Sequence, residues 1–196
     1  GRVEAQSQEE TDVTAEEETE KNADFPGAPP FTVDLLDINE YSRPGIALEK
    51  INGIVIHYTA NPNSTAKQNR DYFEGLKDSH ETKASSHFVV GIKGEIVQCI
   101  PSSEISYASN SRNSDTLSIE CCHKDKSGKF TKETYQSLVE LVGWLCQRFG
   151  LTSEQVIRHY DVTGKNCPKY FVEHEDEWEQ FKKDVDAQIA VVEQEV

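Results

Sequence analysis

The sequence contains no methionine, few cysteines and few basic residues, and these shortages exclude several classes of protein. Lys and Arg number 20 against 35 Asp and Glu, and the formal net charge of -15 at pH 7 opposes binding to a phosphate backbone. Five cysteines are too few for a disulfide scaffold, and their odd number leaves at least one thiol outside any intrachain disulfide. No apolar run approaches about 20 residues, the length that a membrane-spanning helix needs. We therefore expect one domain of ordinary size, with no nucleic-acid partner and no transmembrane segment in this chain.

The first 30 residues differ in composition from the rest of the chain. Residues 1–24 carry nine acids and two bases, and Val3 and Val13 are their only large aliphatic side chains. Such a stretch buries too little apolar surface to offset its ordering entropy, so we expect a disordered acidic leader, followed by a Pro-rich linker at residues 25–30. Charge alone leaves open whether the leader is a solubilising tail or a spacer to a signal or anchor outside this sequence. The folded domain is predicted over residues 31–196.

Short β-branched runs alternate with amphipathic stretches through the predicted domain. Patterns typical of strands occur at residues 51–59, 85–90, 94–100, 116–122 and 156–160. Helical periodicity marks residues 64–76, 131–149 and 175–189. In the first of these helices, Tyr72, Phe73 and Leu76 are expected to share one side. Strands interleaved with helices predict an α/β fold in which helices cover a sheet, with a hairpin between the second and third strands.

Two histidines and a cysteine stand where such a fold places functional side chains. His57 and His159 each end a predicted strand, at the edge where the ligand crevice of an α/β sheet forms. Cys167 follows in a loop whose Gly164 and Pro168 are suited to turning the thiol back toward the imidazole. Two imidazoles and a thiolate suit zinc, and three protein ligands leave a fourth position open, as in catalytic sites. The histidines form no compact ligand motif, however, so residue types alone leave packed structural histidines as the alternative.

Four segments of the sequence carry a resemblance to a known family. They are residues 42–45 (SRPG), 51–60 (INGIVIHYTA), 118–120 (SIE) and 157–168 (IRHYDVTGKNCP). Together they resemble the bacterial N-acetylmuramoyl-L-alanine amidases of the type-2 amidase family, which is related to phage T7 lysozyme and to the animal peptidoglycan recognition proteins. The resemblance extends from about residue 31 to residue 185, and the last segment is its most specific part.

The resemblance implies a fold, a reaction and a set of site residues. The fold is a central mixed β-sheet flanked by helices, and the activity is that of a zinc hydrolase that cleaves the amide between N-acetylmuramic acid and the L-alanine of the peptidoglycan stem peptide. His57, His159 and Cys167 fall on the three zinc-ligand positions of the family. Glu120 is implied as the base that takes a proton from water, and Lys165 as a cation beside the developing oxyanion. The structural alternatives are a solvent-facing strand glutamate and an exposed loop lysine.

Other positions depart from the family or take structural interpretations. Ser86 stands where the T7-like branch has a tyrosine, and Tyr107 stands where many relatives have histidine, so we assign no role to Tyr107. His87 lies among apolar residues and is expected to be a packed, hydrogen-bonded core residue. The remaining histidines lie in polar stretches and are expected at the surface: His80, His123 and His174.

The presence of both Cys167 and Glu120 favours an enzyme over its alternative, a non-catalytic peptidoglycan-binding module of the same fold. We expect a peptidoglycan substrate, a monomer, and a secreted or cell-wall localisation with the signal or anchor outside this sequence. Cys121 and Cys122 alternate along a strand and should face opposite sides of the sheet. A disulfide such as Cys121 with Cys146 is left open, as is the state of Cys99.

Overall fold

A mixed β-sheet forms the centre of the protein, whose computed structural model describes residues 25–196. Within those residues the strands are β1 Thr32–Val33, β2 Gly53–Tyr58, β3 Phe88–Val90, β4 Ile96–Gln98, β5 Thr116–Cys121 and β6 Val156–Arg158. They lie in the order β1-β4-β3-β5-β2-β6. The β3–β4 pair is antiparallel, which confirms the predicted hairpin, and the other neighbouring pairs are parallel. The expected α/β class with a mixed sheet is therefore confirmed.

Helices cover both faces of this sheet. They are α1 Ala66–Ser79, α2 Lys132–Phe149, α3 His159–Thr163, α4 Lys169–Glu173 and α5 Glu175–Glu193. Thr65 and Gln68 form a reciprocal capping box that begins α1, and the Thr131 side chain caps the first turn of α2. Gly150 ends α2 in the left-handed conformation, as its position in the sequence predicts.

The sheet separates two apolar cores of unequal size. The larger core lies between the sheet and helices α2 and α5, and includes Ile56, Ile119, Leu138 and Phe181. The smaller core includes Leu36, Phe73 from α1, Val89 and Cys122. Because side chains alternate along a strand, the residues of β2 and β5 that do not enter the larger core point to the opposite face. That face carries the candidate site.

Two sequence predictions, the end of one strand and the burial of one histidine, differ from the structure. The strand predicted over residues 156–160 stops at Arg158, and His159 begins α3, because Asp161 accepts hydrogen bonds from the backbone N–H and guanidinium of Arg158. His123, predicted at the surface, is buried. Its ring packs 5.0 Å from that of Tyr58, and its Nδ1 lies 2.7 Å from the backbone carbonyl oxygen of Asp125.

Smaller differences concern the edges of elements. Tyr72 is 48% exposed, so the buried side of α1 is formed by Phe73 and Leu76 without it. Strand β1 was not predicted, because it contains only the two residues Thr32 and Val33 and thus shows no periodicity.

All five cysteines lie within the described residues, and each is a buried free thiol. Cys121 belongs to the larger core and Cys122 to the smaller one, which confirms that they face opposite sides of the sheet. Cys121 and Cys146 share the larger core without forming a disulfide. The fold is therefore held by packing and hydrogen bonds rather than by disulfides.

The N-terminal part of the described chain packs against α2. The ring of Phe25 lies 5.8 Å from those of Phe31 and Trp144, N-terminal to the predicted domain start at residue 31. The predicted leader at residues 1–24 lies outside the described residues. Among the described helices, none has the length and apolar character needed to cross a membrane.

Gly94, in the turn between β3 and β4, packs closely against α2. Its φ is +84°, and a Cβ there would lie 2.8 Å from Ser137 Oγ and 2.9 Å from the backbone oxygen of Glu133. We predict that Gly94→Ala lowers the free energy of unfolding by about 1–3 kcal/mol, because it combines left-handed strain with a steric clash. Chemical denaturation monitored by circular dichroism measures this loss.

Gly75→Ala is the matched control. Gly75 lies inside α1, and an added Cβ would meet no atom within 4 Å. Because alanine is the better helix former by up to about 1 kcal/mol, this variant should be as stable as the parent or more so. Equal stability of the two variants would contradict the clash.

Candidate metal centre

The three side chains expected to bind zinc meet in one place. The nitrogen and sulfur atoms that His57, His159 and Cys167 can offer all lie within 4.8 Å of one another. Cys167 Sγ lies 3.9 Å from His57 Nδ1, and the two imidazole centroids are 4.6 Å apart. All three side chains are buried. The fold thus brings together residues that are separated by up to 110 positions in the chain.

Parallel strands place the two histidines, and a short loop places the cysteine. Strand β6 pairs with β2 in the register Ile56 to Arg158, so the residues that follow, His57 and His159, come side by side. The loop after α3 turns back, and the backbone N–H of Tyr160 donates to the carbonyl of Cys167 at 2.9 Å. This hydrogen bond closes the loop and holds the thiol beside the histidines.

The Nε2 atom of each imidazole already has a polar neighbour. Ser109 Oγ lies 3.0 Å from His57 Nε2, and Asn110 Oδ1 lies 2.7 Å from His159 Nε2. The Nδ1 atoms are left as the ligand atoms, and that of His57 is the one that faces Cys167. Neighbouring oxygens thus contact each imidazole at the nitrogen opposite to Nδ1, an arrangement that is usual for histidines that bind metals.

Burial keeps the three candidate ligands uncharged. It lowers the pKa of His57 to about 3, with smaller contributions in the same direction from His159 and Lys165. It also lowers the pKa of His159 and raises that of the Cys167 thiol to about 12. Neutral imidazoles can bind a metal directly, whereas the thiol has to release its proton on binding.

The donor set fits zinc in both chemistry and spacing. Imidazole nitrogen and thiolate sulfur are the ligands that zinc prefers, and a tetrahedral zinc ion separates a nitrogen from a sulfur ligand by about 3.6 Å. The 3.9 Å between His57 Nδ1 and Cys167 Sγ is close to that value.

Glu120 stands beside this cluster on the neighbouring strand. Residues Glu120 of β5 and His57 of β2 are register partners in parallel strands, so both side chains point to the same face. The Glu120 side chain is half-buried, and its Oε1 is buried without a hydrogen-bond partner within the described residues. Burial raises the pKa of this carboxyl to about 8, an effect that the charge of Lys165 opposes. The unsatisfied oxygen can therefore accept a hydrogen bond from a molecule in the cleft.

The ligands and Glu120 line one end of a cleft of about 500 Å³. Lys165 is exposed and also lines the cleft, where its charge acts on His57, His159 and Glu120. Tyr107, to which we assigned no role, lies along the wall of the cleft. The expected site residues are thus grouped around one opening.

Two other positions that the sequence singles out are structural. His87 is fully buried, with its Nε2 2.7 Å from the carbonyl oxygen of Glu104 and its Nδ1 accepting from the N–H of Ser118, which confirms its expected role in the core. Ser86 is buried, and its hydroxyl donates to the carbonyl of Phe88. Neither side chain lines the cleft.

Arg43 of the SRPG segment does not line the cleft and instead forms a largely buried ion pair. Arg43, which is 5% exposed, donates to both carboxylate oxygens of Glu104 at 2.9 and 2.8 Å and to the carbonyl of Leu36. Glu104 lies at the start of the segment that leads to Ser109 and Asn110. The sequence analysis missed both of those residues, since a Ser-Asn pair in a loop is common and carries no periodic or motif signal.

Comparison with known proteins decides the family. The family model Amidase_2, described as N-acetylmuramoyl-L-alanine amidase, matches residues 47–170, a range that contains the three candidate ligands and Glu120. The chain belongs to the Amidase_2 family. The resemblance expected from the sequence is therefore confirmed.

Curated relatives of this Amidase_2 chain come from bacilli. It is 38% identical over 166 residues to the N-acetylmuramoyl-L-alanine amidase CwlL of Bacillus licheniformis, a match that covers 78% of this chain and 46% of CwlL. It is 31% identical over 181 residues to the N-acetylmuramoyl-L-alanine amidase BlyA of Bacillus subtilis (strain 168), covering 82% of this chain and 48% of BlyA. The Amidase_2 chain thus spans just under half the length of these relatives.

Solved structures share the fold of this Amidase_2 chain. The catalytic domain of XlyA superposes with a TM-score of 0.69 at 24% identity, covering 80% of this chain and 99% of that domain. A mutant endolysin from Bacillus subtilis gives a TM-score of 0.67 at 25% identity, covering 78% of this chain and 96% of the endolysin. The Amidase_2 architecture is therefore that of known endolysin structures.

We predict that the purified Amidase_2 protein carries about one zinc ion per chain, and that Cys167→Ala loses it because a ligand is removed. Cys99→Ala is the matched control, since Cys99 is a buried free thiol of the smaller core. Elemental analysis after dialysis against a weak chelator measures the zinc content. Zinc-free parent protein, or full zinc content in a folded Cys167→Ala variant, would contradict the assignment.

Proposed function

We propose that this protein is a zinc-dependent hydrolase that cleaves the amide between N-acetylmuramic acid and the L-alanine of the peptidoglycan stem peptide. The family match and the curated relatives, which are named N-acetylmuramoyl-L-alanine amidases, support the proposal that this is the bond that is cleaved. The observation that carries the proposal is the grouping of His57, His159 and Cys167 with the unpartnered Glu120 oxygen in one cleft.

In this proposal His57, His159 and Cys167 hold the zinc ion through Nδ1, Nδ1 and Sγ. A zinc ion held there supplies a Lewis acid for the scissile carbonyl and lowers the pKa of bound water to about 7. Since only three protein ligands would hold the ion, a position would be open to water or substrate. Burial of the cluster keeps competing water away and strengthens every charge interaction inside it.

Glu120 is the proposed general base and acid. Its unpartnered Oε1 takes a proton from the attacking water, whose oxygen forms the new bond to the lactyl carbonyl carbon. As the C–N bond breaks, the same carboxyl returns the proton to the nitrogen of L-alanine, so the products are a free carboxylic acid and a free amine. Burial raises the pKa of Glu120 to about 8, and the charge of Lys165 opposes this rise and so favours the ionised form that a base requires.

Lys165 is proposed to stabilise the negative charge that develops on the carbonyl oxygen. The ammonium lines the same cleft as the cluster and already acts electrostatically on His159 and Glu120. Because Lys165 is exposed, its ammonium can face the carbonyl oxygen of a substrate in the cleft. Lys165 therefore adds a positive charge on the open side of the cleft.

We further propose that the protein acts as a monomer on the bacterial cell wall, outside the membrane. Because its formal net charge is -15, bulk electrostatics does not draw it to an anionic wall. Affinity for the muramyl peptide then has to come from contacts inside the cleft.

Digestion of purified peptidoglycan tests the reaction. We predict that the parent protein releases stem peptides with a free N-terminal L-alanine and leaves glycan strands with free lactyl groups. Glu120→Gln should lower the rate by at least about 100-fold, since it cannot take the proton, while it keeps its zinc. Mass spectrometry of the muropeptides and elemental analysis give the two readouts.

Glu179→Gln, a change at an exposed position of α5, is the control and should digest as the parent does. Undiminished activity of Glu120→Gln would remove Glu120 from the mechanism. Binding of the parent protein to peptidoglycan without release of any amine would instead identify a recognition module and refute the proposed hydrolysis.

A further inference from the structure

One loop contacts both candidate histidine ligands on the side away from the metal position. This loop, residues 107–113, connects the hairpin to β5 and is called the 107–113 loop below. Its consecutive residues Ser109 and Asn110 place one oxygen each against the two imidazoles, at 3.0 Å from His57 Nε2 and 2.7 Å from His159 Nε2. Neither contact follows from the three-ligand set itself.

The loop is held in this shape by its own hydrogen bonds. Asn113 Oδ1 accepts from the backbone N–H groups of Ala108 at 3.1 Å and Ser109 at 2.6 Å. Asn110 has a φ of +53°, a left-handed conformation that asparagine tolerates better than most residues. The loop therefore presents two neighbouring side chains in fixed directions.

Both ends of the loop are tied to the sheet region. At its start, the N–H of Tyr107 donates to Ser85 Oγ at 2.9 Å, and the carbonyl of Tyr107 accepts from the N–H of Ser85. At its end, Thr116 of β5 donates its hydroxyl to the carbonyl of Arg112 at 2.7 Å. The loop thus has a defined position relative to the strands that carry His57 and Glu120.

The amide oxygen of Asn110 selects one tautomer of His159. The amide oxygen of Asn110 can only accept, so the hydrogen bond requires a proton on His159 Nε2 and leaves the Nδ1 lone pair free. A neutral imidazole has one protonated nitrogen, and a metal can bind only the other. The Ser109 hydroxyl can donate or accept, and it accepts from His57 Nε2 when the Nδ1 lone pair is free to face the Cys167 thiol.

We propose that Ser109 and Asn110 are positioning residues that hold His57 and His159 in the Nδ1-ligating tautomer and thereby set the metal affinity of the site. The inference rests on the proposed metal centre and goes beyond it, since it assigns to the 107–113 loop a control over metal retention. Orienting oxygens of this kind contribute about 10-fold to 100-fold to metal affinity where they have been removed.

Metal affinity of the full chain is the primary test. Ser109→Ala and Asn110→Gly should each weaken zinc binding by about 10-fold to 100-fold, measured by competition with a chromogenic chelator at one fixed pH. Glycine at position 110 keeps the positive φ, so the loss reports on the missing amide rather than on backbone strain. Asn110→Asp keeps an acceptor at that position and should retain the parent's affinity or exceed it.

Ser111→Ala is the matched control, because Ser111 is an exposed serine of the same loop. Its affinity should equal that of the parent. A second readout separates positioning from general stability: in metal-free Asn110→Gly, nitrogen NMR should show part of His159 with its proton moved to Nδ1, while the parent stays protonated at Nε2.

The zinc measurements distinguish failure of the positioning role from failure of the metal centre. If the parent binds zinc and both Ser109→Ala and Asn110→Gly bind it equally tightly, the inference is wrong and the proposed metal centre stands. If the parent itself binds no zinc, the metal centre fails and the inference fails with it. Weakened binding in Ser111→Ala of the same size as in Asn110→Gly would also refute the positioning role.

Discussion

The parallel alignment of β2 between β5 and β6 is the constraint on which the site depends. Strand β2 is register-paired on both sides, with Glu120 beside His57 on one flank and Arg158 beside Ile56 on the other. Backbone hydrogen bonds therefore place Glu120 beside His57 and bring the residue after Arg158, His159, to the same end of the sheet. The same alignment leaves the strand ends open on one edge of the sheet, where ligands bind in α/β folds.

Much of the fold follows from local patterns in the sequence. The apolar repeat of α2 is strong, because Leu138, Val142 and Leu145 recur at helical spacing and all are buried. Strand β2 is a nearly continuous apolar run, as strands buried on both faces are, whereas β5 alternates polar and apolar residues. The start of α3 was not predictable in this way, because an apolar pair before His159 suggests a longer strand and the side chain of Asp161 decides otherwise.

The candidate site likewise contains some residues that the sequence predicts and others that it does not. His57, His159, Cys167 and Glu120 could be named because a family pattern carries them, and the fold then brings them together. Ser109 could not be named, because its importance comes only from a distance across the fold to a histidine 52 positions away. Polar loop residues of this kind have no periodicity and no distinctive chemistry until the tertiary structure supplies their partner.

In the proposed metal centre, metal binding is coupled to proton release. Burial disfavours the charged forms of the His57, Cys167 and Glu120 side chains alike, so each is held neutral by its surroundings rather than by a neighbouring counterion. A divalent cation reverses this balance for the thiol and the carboxyl at once. Cation binding therefore has to supply the free energy of removing the thiol proton, so the apparent affinity should rise with pH.

The absence of disulfides among the described cysteines has a practical consequence for the scaffold. Burial raises the pKa of Cys99, Cys121, Cys122 and Cys146, so their thiolate fractions at neutral pH are very small and they react slowly with oxidants. The domain can therefore mature without an oxidase or isomerase, in reducing and oxidising surroundings alike. A thiol reductant added during handling therefore leaves the scaffold intact.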